Sequence, residues 1–121
     1  MRAFAGTHVV ADLYGVDAGL LGDVERLTTI LREAVDAGGA QLLSIHAHGF
    51  APHGVTVVAV LAESHASIHT WPEHGGAFVD AFTCGASDPG AIVRAVSARL
   101  GPTRAEVRAI ARGEPTLAHR D

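Results

Sequence analysis

The stretch Val55-Thr56-Val57-Val58-Ala59-Val60-Leu61-Ala62-Glu63-Ser64-His65-Ala66-Ser67-Ile68-His69-Thr70-Trp71-Pro72-Glu73 decides how this chain folds and where its chemistry lies. Its first half, Val55 to Glu63, is an apolar strand with little distinction between its two faces, the pattern of a strand covered on both sides. The second half packs hydroxyl, imidazole and carboxylate groups into a few positions, and the only cysteine, Cys84, follows eleven residues after Glu73. An apolar strand that hands over abruptly to reactive side chains marks a reactive centre.

Outward from that stretch, Gln41 to Phe50 reads as a strand joined to Val55 to Glu63 through Ala51-Pro52-His53-Gly54, where Pro then Gly favours a turn. Downstream come a short strand over Ala66 to Thr70 and an apolar strand over Gly76 to Cys84. Thr7 to Tyr14 alternates Val9, Ala11 and Leu13 against His8, Val10 and Asp12, a strand that Gly15 ends. From Ala18 to Ala37, Leu21, Val24, Leu27, Ile30, Leu31, Ala34 and Val35 recur at helical spacing before the Gly38-Gly39 stop. Asp88-Pro89 supplies a cap and a first-turn proline for a second helix to Leu100, with Ile92, Val93, Val96 and Leu100 on its apolar face. Gly101-Pro102 ends it, Arg104 to Arg112 alternates as a last strand, and a loose tail is expected from Gly113.

These elements predict an α+β fold: a two-layer sandwich of one antiparallel sheet with two helices on one face, built from two similar halves. The other sheet face is left without helices, and a symmetric dimer would cover it. A chain of 121 residues, 48% hydrophobic and 18% charged, supports one core, so residues 1–121 are read as a single domain. A net charge of −4 with 9 Lys and Arg offers no footprint for nucleic acid. No apolar run approaches a membrane span and no signal-like core builds up before Asp12, so a cytoplasmic protein is expected. A lone cysteine forms no internal disulfide: Cys84 is either a small buried hydrophobe or a working thiol.

Ser64 follows a carboxylate at a strand end, and its hydroxyl can attack the preceding carbonyl if the backbone there is strained and the oxyanion stabilised. His69, five residues on, is close enough in a turn or paired strand to serve as base, and an imidazole is the side chain suited to proton transfer at neutral pH. The bland readings stand beside these: an isolated Glu-Ser pair proves nothing, a single histidine is more often a hydrogen-bonded structural residue, and a cysteine ending an apolar strand is most often merely buried. His46 and His48 share a strand face and His65 and His69 are four apart, so a metal-binding module is conceivable. No carboxylate or thiol completes either ligand set, and no metal is expected. His65, Ser67, Trp71 and Asp80 are read as structural, with Trp71-Pro72 shaping and packing a loop.

Glu-Ser-His-x-x-Ile-His-Thr-Trp-Pro-Glu from Glu63 to Glu73, with Asp80-x-Phe82-Thr83-Cys84-Gly85 downstream, resembles the prokaryotic S-adenosylmethionine decarboxylase proenzyme family, whose members are small and pyruvoyl-dependent. The resemblance covers nearly the whole chain, from Gly6-Thr7-His8 through the Phe50-x-Pro52-x-Gly54-Val55 turn to the last helix and strand. It implies autocatalytic cleavage between Glu63 and Ser64, giving a beta chain of residues 1–63 and an alpha chain of residues 64–121. Ser64 would attack the Glu63 carbonyl to give an ester, and β-elimination would then convert it to a pyruvoyl group. A ketone conjugated to an amide forms a Schiff base with the substrate amine and takes up the electrons freed as carbon dioxide leaves. By the same resemblance His69 assists processing, Cys84 protonates the substrate carbon, Phe50 stacks on adenine and Glu73 binds the ribose hydroxyls.

Departures are informative. The family's second processing hydroxyl is usually a serine, and here it is Thr56, whose methyl stiffens χ1 and predicts slower self-cleavage. Gly49, Ala66 and His74 stand where the family tends to have arginine, a large apolar residue and tyrosine. These positions surround the substrate, which leaves L-ornithine or L-arginine, the substrates of relatives that share the chemistry, as alternatives. Retention of Phe50 and Glu73 favours S-adenosylmethionine and production of the aminopropyl donor for spermidine synthesis. The alternative of another class is an uncleaved binding or regulatory homologue. The resemblance also implies a homodimer with active sites near the subunit interface, without assigning which copy supplies which residue.

Overall fold

A computed structural model describes residues 4–114. Alternation along the strands divides the sheet into two unlike faces. In β3 (Val55–Leu61), Val55, Val57, Ala59 and Leu61 are buried. Val57 is 0% exposed and its neighbour Val58 37%, so one face of this doubly apolar strand is core and the other is bare.

The sheet has six strands: β1 (Ala5–Tyr14), β2 (Leu42–Gly49), β3, β4 (Ser64–Trp71), β5 (Gly76–Thr83) and β6 (Arg104–Gly113), in spatial order β2-β3-β4-β5-β1-β6. Every neighbouring pair is antiparallel. The two halves expected from the element order interlock, because β1 of the first half is inserted between β5 and β6 of the second. β4 begins two residues earlier than the apolar pattern suggested, since its pairing with β3 extends back to Leu61 and Ser64. β6 runs to Gly113, where the tail was expected to start, and the rest of that tail lies outside the described residues.

The helix expected over Ala18 to Ala37 is two: α1 (Ala18–Leu21) and α2 (Val24–Ala37). The Asp23 carboxylate accepts from the Arg26 amide at 3.0 Å, an Asx cap that starts a new helix where the old one would have continued. α3 (Pro89–Leu100) matches expectation, with Asp88 accepting from the Ala91 amide and Pro89 in the first turn. Leu27, Ile30, Leu31, Ala34 and Val35 of α2 are buried on the sheet face that also takes Ile92, Val93 and Val96 of α3. Truncating Leu27 or Leu31 to alanine is expected to cost about 2–5 kcal/mol. Buried Thr70 ties the layers together: its hydroxyl donates to the Leu21 carbonyl at 2.7 Å and accepts from the Val55 amide at 2.9 Å. No described helix is long and apolar enough to cross a membrane. The opposite face of the sheet carries Thr56, His65, Ser67, His69, Trp71 and Asp80.

Candidate active site

Pairing of Leu61 with Ser64 leaves Ala62 and Glu63 as a two-residue turn between β3 and β4. Glu63 has φ +61°, the only positive φ on a non-glycine among the described residues. A side chain in the left-handed region costs ~1–2 kcal/mol, so the residue whose carbonyl would be attacked is held under strain. Across the sheet, β4 pairs with β5 so that His65 faces Phe82. Continuing that register by two residues sets Glu63 opposite Cys84, and the Cys84 thiol donates to the Glu63 carbonyl oxygen at 2.9 Å. The thiol is partly exposed, so Cys84 is not the fully buried small hydrophobe of the bland reading. Thr83, just before it, donates to the Ser87 carbonyl at 3.1 Å and turns the chain away. Ser64 opens onto a cleft of about 850 Å³ lined by Glu63, His65, Phe82, Cys84, Phe4 and Arg112.

A second group lies at the other end of the same hairpin. Thr56 pairs with His69 across β3 and β4, and Thr56 Oγ1 and His69 Nδ1 share a 2.6 Å hydrogen bond. The Phe50 ring centre stands 6.2 Å from that of His69 and 4.7 Å from that of His48, while Trp71 approaches His69 at 4.8 Å. Glu73 sits in the single turn Pro72–His74 that follows β4, and with Phe50, His53, His69 and Trp71 it borders a hollow of about 200 Å³.

The expectation that His69 lies close to Ser64 is therefore corrected. Both belong to one straight strand, and five residues of strand span roughly 17 Å. Glu63, Ser64 and Cys84 are brought together at one end; Phe50, Thr56, His69 and Glu73 gather at the other.

Between the ends lies a cluster the sequence did not reveal. Asp80, on β5, takes the Ser67 hydroxyl on Oδ1, and its Oδ2 stands 2.6 Å from His8 Nε2 and 3.9 Å from His65 Nε2. These side chains come from β1, β4 and β5, and His8 and Asp80 are 72 residues apart in sequence. Among the described residues this is the group that could hold a metal ion, and the His46–His48 and His65–His69 pairs do not form one.

A sequence model of the family described as S-adenosylmethionine decarboxylase matches residues 7–113. An S-adenosylmethionine decarboxylase proenzyme from Pyrobaculum arsenaticum is 52% identical over 108 residues, covering 88% of this chain and 86% of that protein. One from Aquifex aeolicus is 47% identical over 116 residues, covering 93% and 84%. The crystal structure of the adenosylmethionine decarboxylase from Aquifex aeolicus superposes with a TM-score of 0.81 at 44% identity, covering 92% of each chain. The Trypanosoma brucei AdoMetDC-delta26 monomer, at 19% identity and a TM-score of 0.63 over 84% of this chain and 44% of that one, shares the fold.

Proposed function

The chain belongs to the S-adenosylmethionine decarboxylase family, and from that premise we propose how its own residues divide the work. It is a pyruvoyl-dependent enzyme that decarboxylates S-adenosylmethionine for polyamine synthesis, with the pyruvoyl group made from an internal serine; ornithine, arginine and an uncleaved binding role are not favoured. The serine is Ser64 in this reading, and the cut falls between Glu63 and Ser64.

Processing begins as Ser64 Oγ attacks the Glu63 carbonyl carbon. The C–O bond forms, the C–N bond breaks, and the freed amine takes a proton, leaving an ester. Two observations support Glu63 as the acceptor: its left-handed backbone, relaxed once the peptide bond opens, and the Cys84 thiol donating to the oxygen that gains negative charge. Removal of the residue 64 Cα proton then expels the Glu63 carboxylate. The dehydrated residue takes up water and loses ammonia, leaving residues 1–63 ending in glutamate and residues 64–121 starting with a ketone.

The surroundings of Ser64 fit such a ketone, because position 64 faces the open cleft with one thiol beside it. When formed, the group supplies the electron sink that ordinary side chains lack. Departure of the Glu63 carbonyl frees Cys84 Sγ–H to deliver a proton to the substrate carbon that has lost carbon dioxide.

His69 is the base for processing, and the ~17 Å strand between it and Ser64 makes it the base of another copy. The bare sheet face carries Val58, Val60, Phe78 and Ile110, 37–52% exposed, between the two ends of the hairpin. Two copies packed through this face about a twofold axis running across the strands would bring each Ser64–Cys84 end to the Thr56–His69 end of the partner subunit, a reciprocal contact that a self-complementary interface allows. Thr56 engages Nδ1, so Nε2 of His69 is the nitrogen that moves the proton. Phe50 and Glu73, bordering one hollow with Trp71, offer adenine an aromatic face and the ribose diol an acceptor. A homodimer working in the cytoplasm completes the reading, in keeping with a single partly exposed thiol and no internal disulfide.

The Cys84 thiol on the strained Glu63 carbonyl carries this conclusion. Mass spectrometry of mature protein is expected to give pieces of residues 1–63 and 64–121, and Ser64→Ala a single uncut chain without activity. Normal cleavage of Ser64→Ala would sink the assignment.

A further inference from the structure

We propose that His8, His65 and Asp80 form a binding site for one divalent transition-metal ion, with zinc the best match. The ligand atoms, two imidazole nitrogens and a carboxylate oxygen, all lie within 4.8 Å of one another. Asp80 Oδ2 is 2.6 Å from His8 Nε2 and 3.9 Å from His65 Nε2. Those two values bracket the ligand–ligand edge of roughly 3.4 Å that tetrahedral coordination at ~2.1 Å imposes.

The arrangement follows from the sheet. Asp80 sits on β5 between β1 and β4, and register places it directly across from Val10 and Ser67. His8 and His65 both pair with Phe82, two residues further along β5, so they flank Asp80 diagonally from either side. All three side chains rise on the face that carries no helix. The two rings meet edge to face at 6.0 Å, and His65 stacks on Phe82 at 5.8 Å, which limits how far the nitrogens can turn away.

A second layer supports the first. The Ser67 hydroxyl donates to the other carboxylate oxygen of Asp80 and fixes its orientation, the role that outer-shell groups play for a ligating carboxylate. Two imidazoles with one carboxylate suit zinc, cobalt or nickel and are poorly matched to magnesium or calcium, which prefer oxygen. Three protein ligands leave a fourth position, and His65 also lines the cleft beside Ser64, so that position opens toward solvent there. The site borders the cleft that holds Ser64 without using Ser64 or Cys84 as a ligand, and it departs from the expectation that His65 and Asp80 are only structural.

The test is a titration of the full-length protein with Co²⁺, read by the visible absorption of a tetrahedral centre, followed by competition with Zn²⁺. One equivalent of Co²⁺ is expected to bind and to be displaced by Zn²⁺. Asp80→Asn and His8→Gln should each weaken binding by about 100-fold or more, and Ser67→Ala by about tenfold. His65→Gln, at an exposed position, repeats the ligand test if His8→Gln does not fold by circular dichroism. His48→Gln should bind as the parent does. Absence of a one-equivalent tetrahedral spectrum, unchanged affinity in Asp80→Asn and the folded histidine variants, or loss of binding in His48→Gln would overturn the proposal.

Discussion

The two ends of the β3–β4 hairpin are built on opposite principles. At the turn, Glu63 is held with φ +61° and its carbonyl is gripped by a thiol, all at the edge of an open cleft. At the other end Thr56 and His69 occupy a regular ladder position, and the next residue of β4, Thr70, is pinned to both α1 and β3. One end holds strain beside the bond proposed to break; the other fixes the imidazole proposed to carry the proton. Because an extended strand separates them, the proposed chemistry needs both ends brought together from two copies. In the proposed reading the chain cuts itself only once it meets a second copy, so that assembly triggers activation.

The largest effects come from removing one end at a time. His69→Ala is expected to slow self-cleavage by ~10²–10⁴, and Cys84→Ala to slow decarboxylation by a similar factor. Co-expressing the two variants should restore about a quarter of the parent's sites, since random pairing makes half the dimers mixed and each mixed dimer has one whole site of two. Activity that stays at the level of the single variants would show that both ends act within one copy.

Next in size is the face that joins the ends. Val60→Asp, on the bare face, would bury an unpaired carboxylate in the proposed interface at a cost of several kcal/mol. Sedimentation should find monomers, and those monomers should remain uncut at Glu63-Ser64. Monomers that cleave at the parent's rate would separate assembly from activation.

How far this comparison was legible in the sequence depends on the kind of information involved. Period-two patterning picked out the buried set of β1, and Asp88-Pro89 with Gly101 marked both limits of α3, because these signals are local; β3, apolar on both faces, did not show which face is core. The break at Asp23 was also local, a capping carboxylate with Arg26 three residues on, but helical periodicity continued across it and masked it. The division of the site into two ends was not legible, since five residues of separation mean proximity in a turn and ~17 Å in a strand. Cys84 meets Glu63 through the β4–β5 register, and His8 meets Asp80 because β1 is inserted beside β5. Both are consequences of strand order, which no single stretch of residues encodes.

A smaller effect isolates the strain at the turn. Glu63→Gly gives the left-handed position a residue without Cβ, a net stabilisation of ~0.5–1 kcal/mol after glycine's greater chain entropy. On the uncut Ser64→Ala background the melting temperature should rise by ~2–5 °C. With Ser64 intact, loss of the same strain should slow cleavage by about threefold. A lower melting temperature would mean that the Glu63 side chain contributes more to the turn than its backbone costs.

The smallest effect belongs to the far end, where the family's usual serine is replaced by Thr56. Thr56 Oγ1 already reaches His69 Nδ1 at 2.6 Å, so the hydroxyl is in position and the extra methyl only limits how it can move. Thr56→Ser frees χ1 among three staggered wells, which bounds the effect on self-cleavage at about threefold, in the direction of faster processing. Thr56→Val keeps the branched shape and removes the hydrogen bond. It should slow cleavage by about tenfold, the worth of one such bond to a proton carrier. Time courses of cleavage on denaturing gels distinguish the two. If Thr56→Val cleaved as fast as Thr56→Ser, the hydroxyl would have no part in orienting His69, and the far end would act through the imidazole alone.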